Sequence, residues 1–276
     1  MPSKSIDSEI PLLYHNDMSV CAAKVRNALH EKGIAWQGVR MDLRAGDVQK
    51  PEYVKLNPNQ VVPTLVDRGR VIIESNVILE YIEDRWPGTV RLRPSSPADI
   101  AAMRLWMKQL DDGVHATIGT VSTSIAFRHQ FLARPAPVLQ AWYDNMVDEA
   151  RRNRLRLAIE QGMESAQFSQ AVKRLIRLLD DIERALADSL WLAGPNYSLA
   201  DIAYSPYMIR MEHLGFGDLL AARPRIADWA RRLYATPGYI AGVHGFMDPA
   251  YLTIFERERP AARQRINEIA AVPLAR

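Results

Sequence analysis

Pro63 falls inside an apolar run, Val61-Val-Pro-Thr-Leu-Val66. The run has the composition of a strand, but proline has no N–H to give a β-ladder. It is tolerated only at edges, strand starts and bulges. Pro63 therefore marks a kink, a turn or a sheet edge. A cis Val62–Pro63 bond is one way, since cis peptides are essentially a proline phenomenon. A turn or edge-strand proline is the plainer alternative. In the cis case the Val62 backbone faces outward and can pair with an extended peptide ligand as a short added strand.

The flanking elements narrow the fold. Leu12–Tyr14 reads as a strand, His15–Met18 as a loop and Ser19–Lys32 as a helix stopped by Gly33. In that helix Cys21, Val25, Ala28 and Leu29 recur at helical spacing, with Lys24, Asn27, Glu31 and Lys32 mostly on other faces. Trp36–Met41 is a second strand. Asp42–Asn57 is irregular, with one short helix at Pro51–Lys55. Val61–Val66 and Val71–Ile73, joined by a turn at Asp67–Arg70 that contains Gly69, form a hairpin. Ser75 N-caps a helix carrying Val77, Ile78, Tyr81 and Ile82, which ends before Pro87. Residues 1–87 thus read β-α-β-α-β-β-α, a small α/β domain with a mixed sheet, opening over residues 1–10 with a disordered or loosely docked arm.

Gly88–Asp99, with Pro94 and Pro97, reads as a linker. Residues 100–276 show only helical periodicity and predict an all-α domain. Its helices are expected at Ile100–Phe131, Val138–Leu157, Ser169–Leu190, Leu199–Leu214 and Arg225–Ala235, followed by a stretch to Ala271, with Arg134-Pro-Ala-Pro137 as a break.

Bulk properties exclude several classes. The net charge of +3 comes with no nucleic-acid-binding signature. A single cysteine excludes an intrachain disulfide and a cysteine-based metal site, and fits a reducing compartment. No stretch approaches the ~18 apolar residues of a membrane span, and the N-terminus has no apolar signal segment. The expectation is a cytoplasmic protein without metal, membrane or nucleic-acid partner.

Chemistry concentrates in the first turn of the first helix, where free N–H groups and a partial positive charge favour an anion. Ser19 stands there as N-cap and as a possible donor to a thiolate. No capping box backs it, because Ala22 occupies the third following position. Cys21 reads either as a small core residue on the apolar stripe or as a thiol acidified by the helix end. Cys-Ala-Ala-Lys has no second sulfur, so a dithiol mechanism is excluded. Ser75 at the next helix N-terminus makes a carboxylate seat. Glu74 beside it suits an ammonium group, and the pair suits an α-amino-acid end. Ser198-Leu-Ala-Asp201 is a capping box in which Asp201 holds the turn. The basic run Arg151–Arg156 reads as a solvated helix face, and Asp111, Asp112 and His115 as polar groups that either face a cleft or, as the plainer reading, sit at a surface or between helices.

Four segments together resemble the glutathione transferase superfamily: Met18-Ser-Val-Cys-Ala-Ala-Lys-Val-Arg26, Asn57-Pro-Asn-Gln-Val-Val-Pro-Thr-Leu65, Glu74-Ser-Asn-Val-Ile-Leu-Glu-Tyr81 and Asn196-Tyr-Ser-Leu-Ala-Asp-Ile202. The resemblance implies a thioredoxin-like N-terminal domain that binds glutathione, an all-α domain that takes a second substrate, and a homodimer. By resemblance Ser19 activates the glutathione thiol. Gln60, Val62, Pro63, Glu74 and Ser75 form the glutathione-binding set, with the Val62 backbone on the cysteinyl unit and Glu74 and Ser75 on the γ-glutamyl end. The Ser19–Cys21 spacing resembles the zeta class (maleylacetoacetate isomerase) and the tetrachlorohydroquinone reductive dehalogenases. In the dehalogenases the cysteine attacks a glutathionyl-aromatic intermediate. Val20, Ala23 and Lys24 depart from the zeta pattern. The added helical length at residues 134–170 is similar to that of the bacterial β-aryl etherases, under which Cys21 is incidental.

The implied activity is attack of glutathione on a small apolar, aromatic electrophile between the domains. Trp106, His115, Tyr204, Tyr207 and Met208 are candidate lining residues, though a helical stripe is more often core. The rival reading is a non-catalytic binder of glutathione or a hydrophobic ligand.

Overall fold

The computed structural model describes residues 10–272. Apart from Ile10, the expected N-terminal arm lies outside them. β1 (Leu12–His15), α1 (Val20–Glu31), β2 (Gln37–Arg40), α2 (Pro51–Val54), β3 (Thr64–Asp67), β4 (Arg70–Ile73) and α3 (Ser75–Arg85) follow in the expected order. The sheet runs β2-β1-β3-β4, with β1 parallel to β2 and antiparallel to β3, and β3 antiparallel to β4. β3 begins at Thr64 rather than Val61, because Pro63 cannot enter the ladder. The Val62–Pro63 bond is cis. Tyr53 Oη donates to the Val61 carbonyl at 2.6 Å, and Asn57 Nδ2 donates to that carbonyl and to Thr64 Oγ1, both at 3.0 Å. Side chains thus replace the ladder bonds that this turn lacks.

The linker is shorter than expected. Pro97 opens α4 (Pro97–Gln109) at its first turn, where a missing N–H costs nothing. Glu83 secures the linker, accepting from the Leu92 and Arg93 amides and from buried Lys32 Nζ at 2.7 Å.

Beyond it the chain is helical: α5 (His115–Ser122), α6 (Arg128–Leu132), α7 (Ala136–Asp144), α8 (Glu149–Gln161), α9 (Ala166–Ala185), α10 (Leu199–His213), α11 (Gly217–Ala221), α12 (Pro224–Tyr234), α13 (Pro237–Gly242) and α14 (Pro249–Ala270). The expected helix 100–131 is interrupted by two π-turns, Leu110–Val114 and Thr123–Phe127. At the first, Gly113 takes φ 130°, and the Arg174 guanidinium fills the space where a Cβ would stand. The expected helix 138–157 is split in two, with Asp148 capping α8 through a bond from the Arg151 amide. The last stretch is likewise divided into α13 and α14.

α1 is enclosed on several sides. Gly242 of α13 lets the backbones meet, since a Cβ there would lie 2.6 Å from the Arg26 carbonyl carbon. Asn27 Nδ2 donates to Ser205 Oγ of α10, and Arg26 Nε to the Gly242 carbonyl. Lys24 and Asn27, expected on outer faces, are fully buried. One apolar core runs through both halves of the chain, from Leu13, Val25 and Ile78 to Phe168, Leu175 and Trp229.

Asp201 is fully buried and accepts from the Ser198 and Leu192 amides, Ser198 Oγ and Trp229 Nε1. The capping box is thus extended into a brace between α10, α12 and the loop before α10.

Candidate active site

The N-terminus of α1 has no acidic residue in its first turn, so no carboxylate there offsets its positive end. Ser19 is its N-cap, Oγ accepting from the Ala22 amide at 3.2 Å. That bond uses a lone pair and leaves the hydroxyl proton free to be donated. Cys21 lies on the next half turn, partly exposed.

Across from Cys21 stand two side chains of the helical domain. His115 Nδ1 is 3.4 Å from Cys21 Sγ, Tyr207 Oη is 3.7 Å from it, and His115 Nδ1 lies 3.1 Å from Tyr207 Oη. His115 is thus at a domain-crossing contact and not on an open surface. That position fits its place among the cleft-lining candidates, and the π-turn sets its direction, because the added residue rotates everything after Val114 relative to a straight helix. Burial pushes the Cys21 thiol up, but the charges of His115 and Lys24 and hydrogen bonds from His115 and Ser75 outweigh it. The thiol settles at about 6, against an ordinary 9.0. Tyr207 moves the other way, raised by burial and by the facing sulfur.

Lys24 was missed as a site residue, although it lies three residues after Cys21 and so on its face of the helix. Its ammonium donates to Ser75 Oγ and Asn76 Oδ1, each at 3.0 Å. Asn76 Nδ2 in turn donates to Asp111 Oδ2 at 2.9 Å and to the Met107 carbonyl. Asp111, read as a surface or inter-helix group, therefore closes a chain running to Lys24 and Ser75. Burial lowers the Lys24 pKa, with Cys21, Asp111 and Glu74 acting against it. Ser75 is the first residue of α3 rather than its cap. Glu74 occupies the cap position at φ 67°, a conformation that costs a non-glycine residue of order 1 kcal/mol or more.

Gln60 is also in the left-handed region, at φ 55°. Its Oε1 accepts from the Val147 amide and its carbonyl from Arg151 Nη1, both at 3.3 Å. Arg151, read as part of a solvated face, thus reaches the turn before Pro63. Val62 makes no backbone hydrogen bond among the described residues, which leaves an open backbone edge. Asn59 Nδ2 donates to Glu74 Oε1 at 2.8 Å, tying that turn to the start of α3.

The remaining lining candidates sit deeper. Tyr204 and Met208 are fully buried. Tyr204 Oη donates to Gln109 Oε1 at 2.8 Å, and its ring meets Trp106 edge-on. The structure brings His115 and Tyr207 to Cys21, places Tyr204 and Trp106 in the packing between α4 and α10, and buries Met208 in the main core.

A thioredoxin-like sheet domain joined to a helical domain, with an open strand edge and two helix N-termini facing the junction, defines the class. Residues 18–85 match the glutathione S-transferase N-terminal domain and residues 149–232 the C-terminal domain, together more than half of the chain. The chain belongs to the glutathione transferase superfamily, and glutathione is its co-substrate. It is 29% identical to the tetrachloro-p-hydroquinone reductive dehalogenase of Sphingobium chlorophenolicum over 81% of this chain and 91% of that one. It is 28% identical to glutathione S-transferase F13 of Arabidopsis thaliana over 83% of this chain and 92% of that one. The crystal structure of the β-etherase LigF from Sphingobium sp. strain SYK-6 superposes with a TM-score of 0.77 at 24% identity, over 85% of this chain and 99% of that one. No helix among the described residues is long and apolar enough to cross a membrane.

Proposed function

We propose that this glutathione transferase conjugates glutathione to a small apolar, aromatic electrophile held between α1 and the helices α5 and α10. The observation that carries the reading is Ser19. It caps a helix with no carboxylate in its first turn, and its hydroxyl proton has no acceptor among the described residues. A thiol seated there is stabilised as thiolate by both effects. Val62 offers its backbone to the cysteinyl unit, and Ser75, Lys24 and Glu74 offer charge-matched partners to the γ-glutamyl end. The thiolate attacks a ring carbon, a C–S bond forms, and the leaving group departs with its electron pair.

A second reading is favoured by the Cys21–His115 contact. In it the Cys21 thiolate attacks the sulfur of the glutathionyl-arene. The S–S bond of a Cys21–glutathione disulfide forms, and the arene leaves with the C–S electron pair and takes up a proton. A second glutathione thiolate then releases Cys21 as thiolate, giving glutathione disulfide. The similarity to a reductive dehalogenase and to a β-etherase supports aromatic compounds as the substrate class.

A homodimer and a cytoplasmic location complete the reading. Val77 of α3 and Leu105 of α4 are 56% and 67% exposed, near the Arg104–Glu80 bridge that joins those helices, and suit burial against a second copy. An acidic thiol and a glutathione-dependent reaction both suit a reducing compartment.

A panel of haloarenes and aryl ethers, scored for glutathione consumed and for product oxidation state, tests both readings. Conjugate without glutathione disulfide supports the first. Reduced arene together with glutathione disulfide, abolished in Cys21→Ser, supports the second. No turnover despite tight glutathione binding contradicts both.

A further inference from the structure

Arg44 follows β2 in the N-terminal domain, and Arg210 sits on α10. Both stack on Phe127, their guanidinium carbons 5.1 and 5.4 Å from its ring centre. The second π-turn ends at Phe127 and sets it there. Arg44 also stacks on Tyr251 of α14 at 4.5 Å and donates to its hydroxyl. Arg210 reaches the Met18 carbonyl, one residue before Ser19, at 2.6 Å. Arg134, on the link between α6 and α7, donates to the Arg44 carbonyl at 2.6 Å. The three cations therefore extend from the Ser19 loop across the domain junction.

None of the three has a carboxylate within salt-bridge distance among the described residues. The carboxylates nearest Arg44 are committed elsewhere. Asp42 accepts the Arg44 and Ala45 amides, and Asp248 pairs with Arg40 at 3.4 Å. Arg44 Nε is buried without a partner. Arg210 is buried and Arg44 and Arg134 are half-buried; cations of this kind are ordinarily paired with a carboxylate, and these three donate only to neutral oxygens.

We propose that Arg44, Arg134 and Arg210 form an anion site at the domain junction, which takes the carboxylate or phenolate of an aromatic second substrate. The proposal rests on the reading of this junction as the electrophile cleft. Arg44 lies over the Tyr251 ring at 4.5 Å, which holds its planar guanidinium in one orientation and suits it to the oxygens of a carboxylate or phenolate. Burial holds Arg44 and Arg210 down at about 10; Asp42 and Asp248 act against it at Arg44 while Arg134 adds to it, and Arg44 adds to it at Arg210. His213, stacked on Phe255 beside Arg210, is pushed to about 4 by burial and by Arg210 and Arg259.

The same chemistry could come from the glycyl carboxylate of glutathione, and the test separates the two. Turnover of 4-chloro-3-nitrobenzoate and its neutral isostere 4-chloro-3-nitrobenzamide is measured in wild type, Arg44→Gln and Arg134→Gln, with glutathione and with its glycyl monoethyl ester. The benzoate-to-benzamide ratio of kcat/KM is expected to fall roughly ten- to hundredfold in Arg44→Gln, the range for losing a hydrogen bond to a charged group. A smaller fall is expected in Arg134→Gln, with the glutathione-to-ester preference unmoved. An unmoved benzoate-to-benzamide ratio overturns the proposal. A shift in the ester preference instead overturns it too, by giving the arginines to glutathione. If neither compound is turned over, the function reading fails, and calorimetric binding of the two compounds decides the site alone. Tighter binding of the benzoate, lost in Arg44→Gln, upholds it; equal binding overturns it.

Discussion

Cys21 Sγ and His115 Nδ1 lie 3.4 Å apart although 94 residues separate them. The contact crosses the domain junction and joins the first turn of one helix to the end of a π-turn in another. Of the two readings of Cys21, core residue or acidified thiol, it favours the second.

The pH profile of Cys21 alkylation follows from it. A thiol held at about 6 is thiolate above that pH, so the rate with iodoacetamide is expected to rise through pH 6 and level off before pH 8. The linkage has the same sign: the thiolate contributes its full stability above the unfolded value near 9 and loses it as pH falls through 6. In His115→Ala the midpoint is expected to move up by at least one pH unit, because the largest opposing charge is gone. A wild-type rate that climbs only through pH 8–9 contradicts the geometry.

Much of the N-terminal domain was legible, because strand alternation, Gly33 and Pro63 each carry a local physical cause. Ser19 as a cap was legible for the same reason. The Cys21–His115 contact was not, since a π-turn shifts side-chain direction without leaving a periodicity that a straight helix would lack. Lys24 was partly legible, as its spacing from Cys21 shows a shared face. Its burial was not, because that depends on Asn76 and Asp111, 52 and 35 residues apart from their partners in that chain.

Glutathione affinity is expected to respond to the start of α3. Ser75→Ala and Glu74→Gln each raise KM for glutathione roughly tenfold, with a smaller change in kcat. Each removes ground-state binding at a distance from the reacting sulfur. Steady-state kinetics with glutathione varied checks this, and an unchanged KM in both variants contradicts the assignment.

Asp201 is a matter of stability. Asp201→Ala leaves the Leu192 and Ser198 amides and Trp229 Nε1 buried without an acceptor. The cost is roughly 3–5 kcal/mol, and a chain of this size loses about 2–4 °C in Tm per kcal/mol. Thermal unfolding followed by circular dichroism is expected to show a drop of roughly 10 °C, with Asp201→Asn falling less.

The proposed dimer is tested at Val77 and Leu105. The double variant Val77→Glu, Leu105→Glu is expected to shift sedimentation from dimer to monomer without loss of helical signal. A wild-type monomer at micromolar concentration contradicts the pairing.

The most direct measurement compares glutathione conjugation to 1-chloro-2,4-dinitrobenzene in wild type, Ser19→Ala and Cys21→Ser. Wild type is expected to turn over. Ser19→Ala is expected to lose roughly a hundredfold or more in kcat/KM, as when a preorganised donor to a developing or resident anion is removed. Cys21→Ser is expected to keep conjugating. Full activity in Ser19→Ala, or a wild-type protein that binds glutathione tightly and never transfers it, contradicts the claim that the α1 N-terminus and Ser19 activate the glutathione thiol.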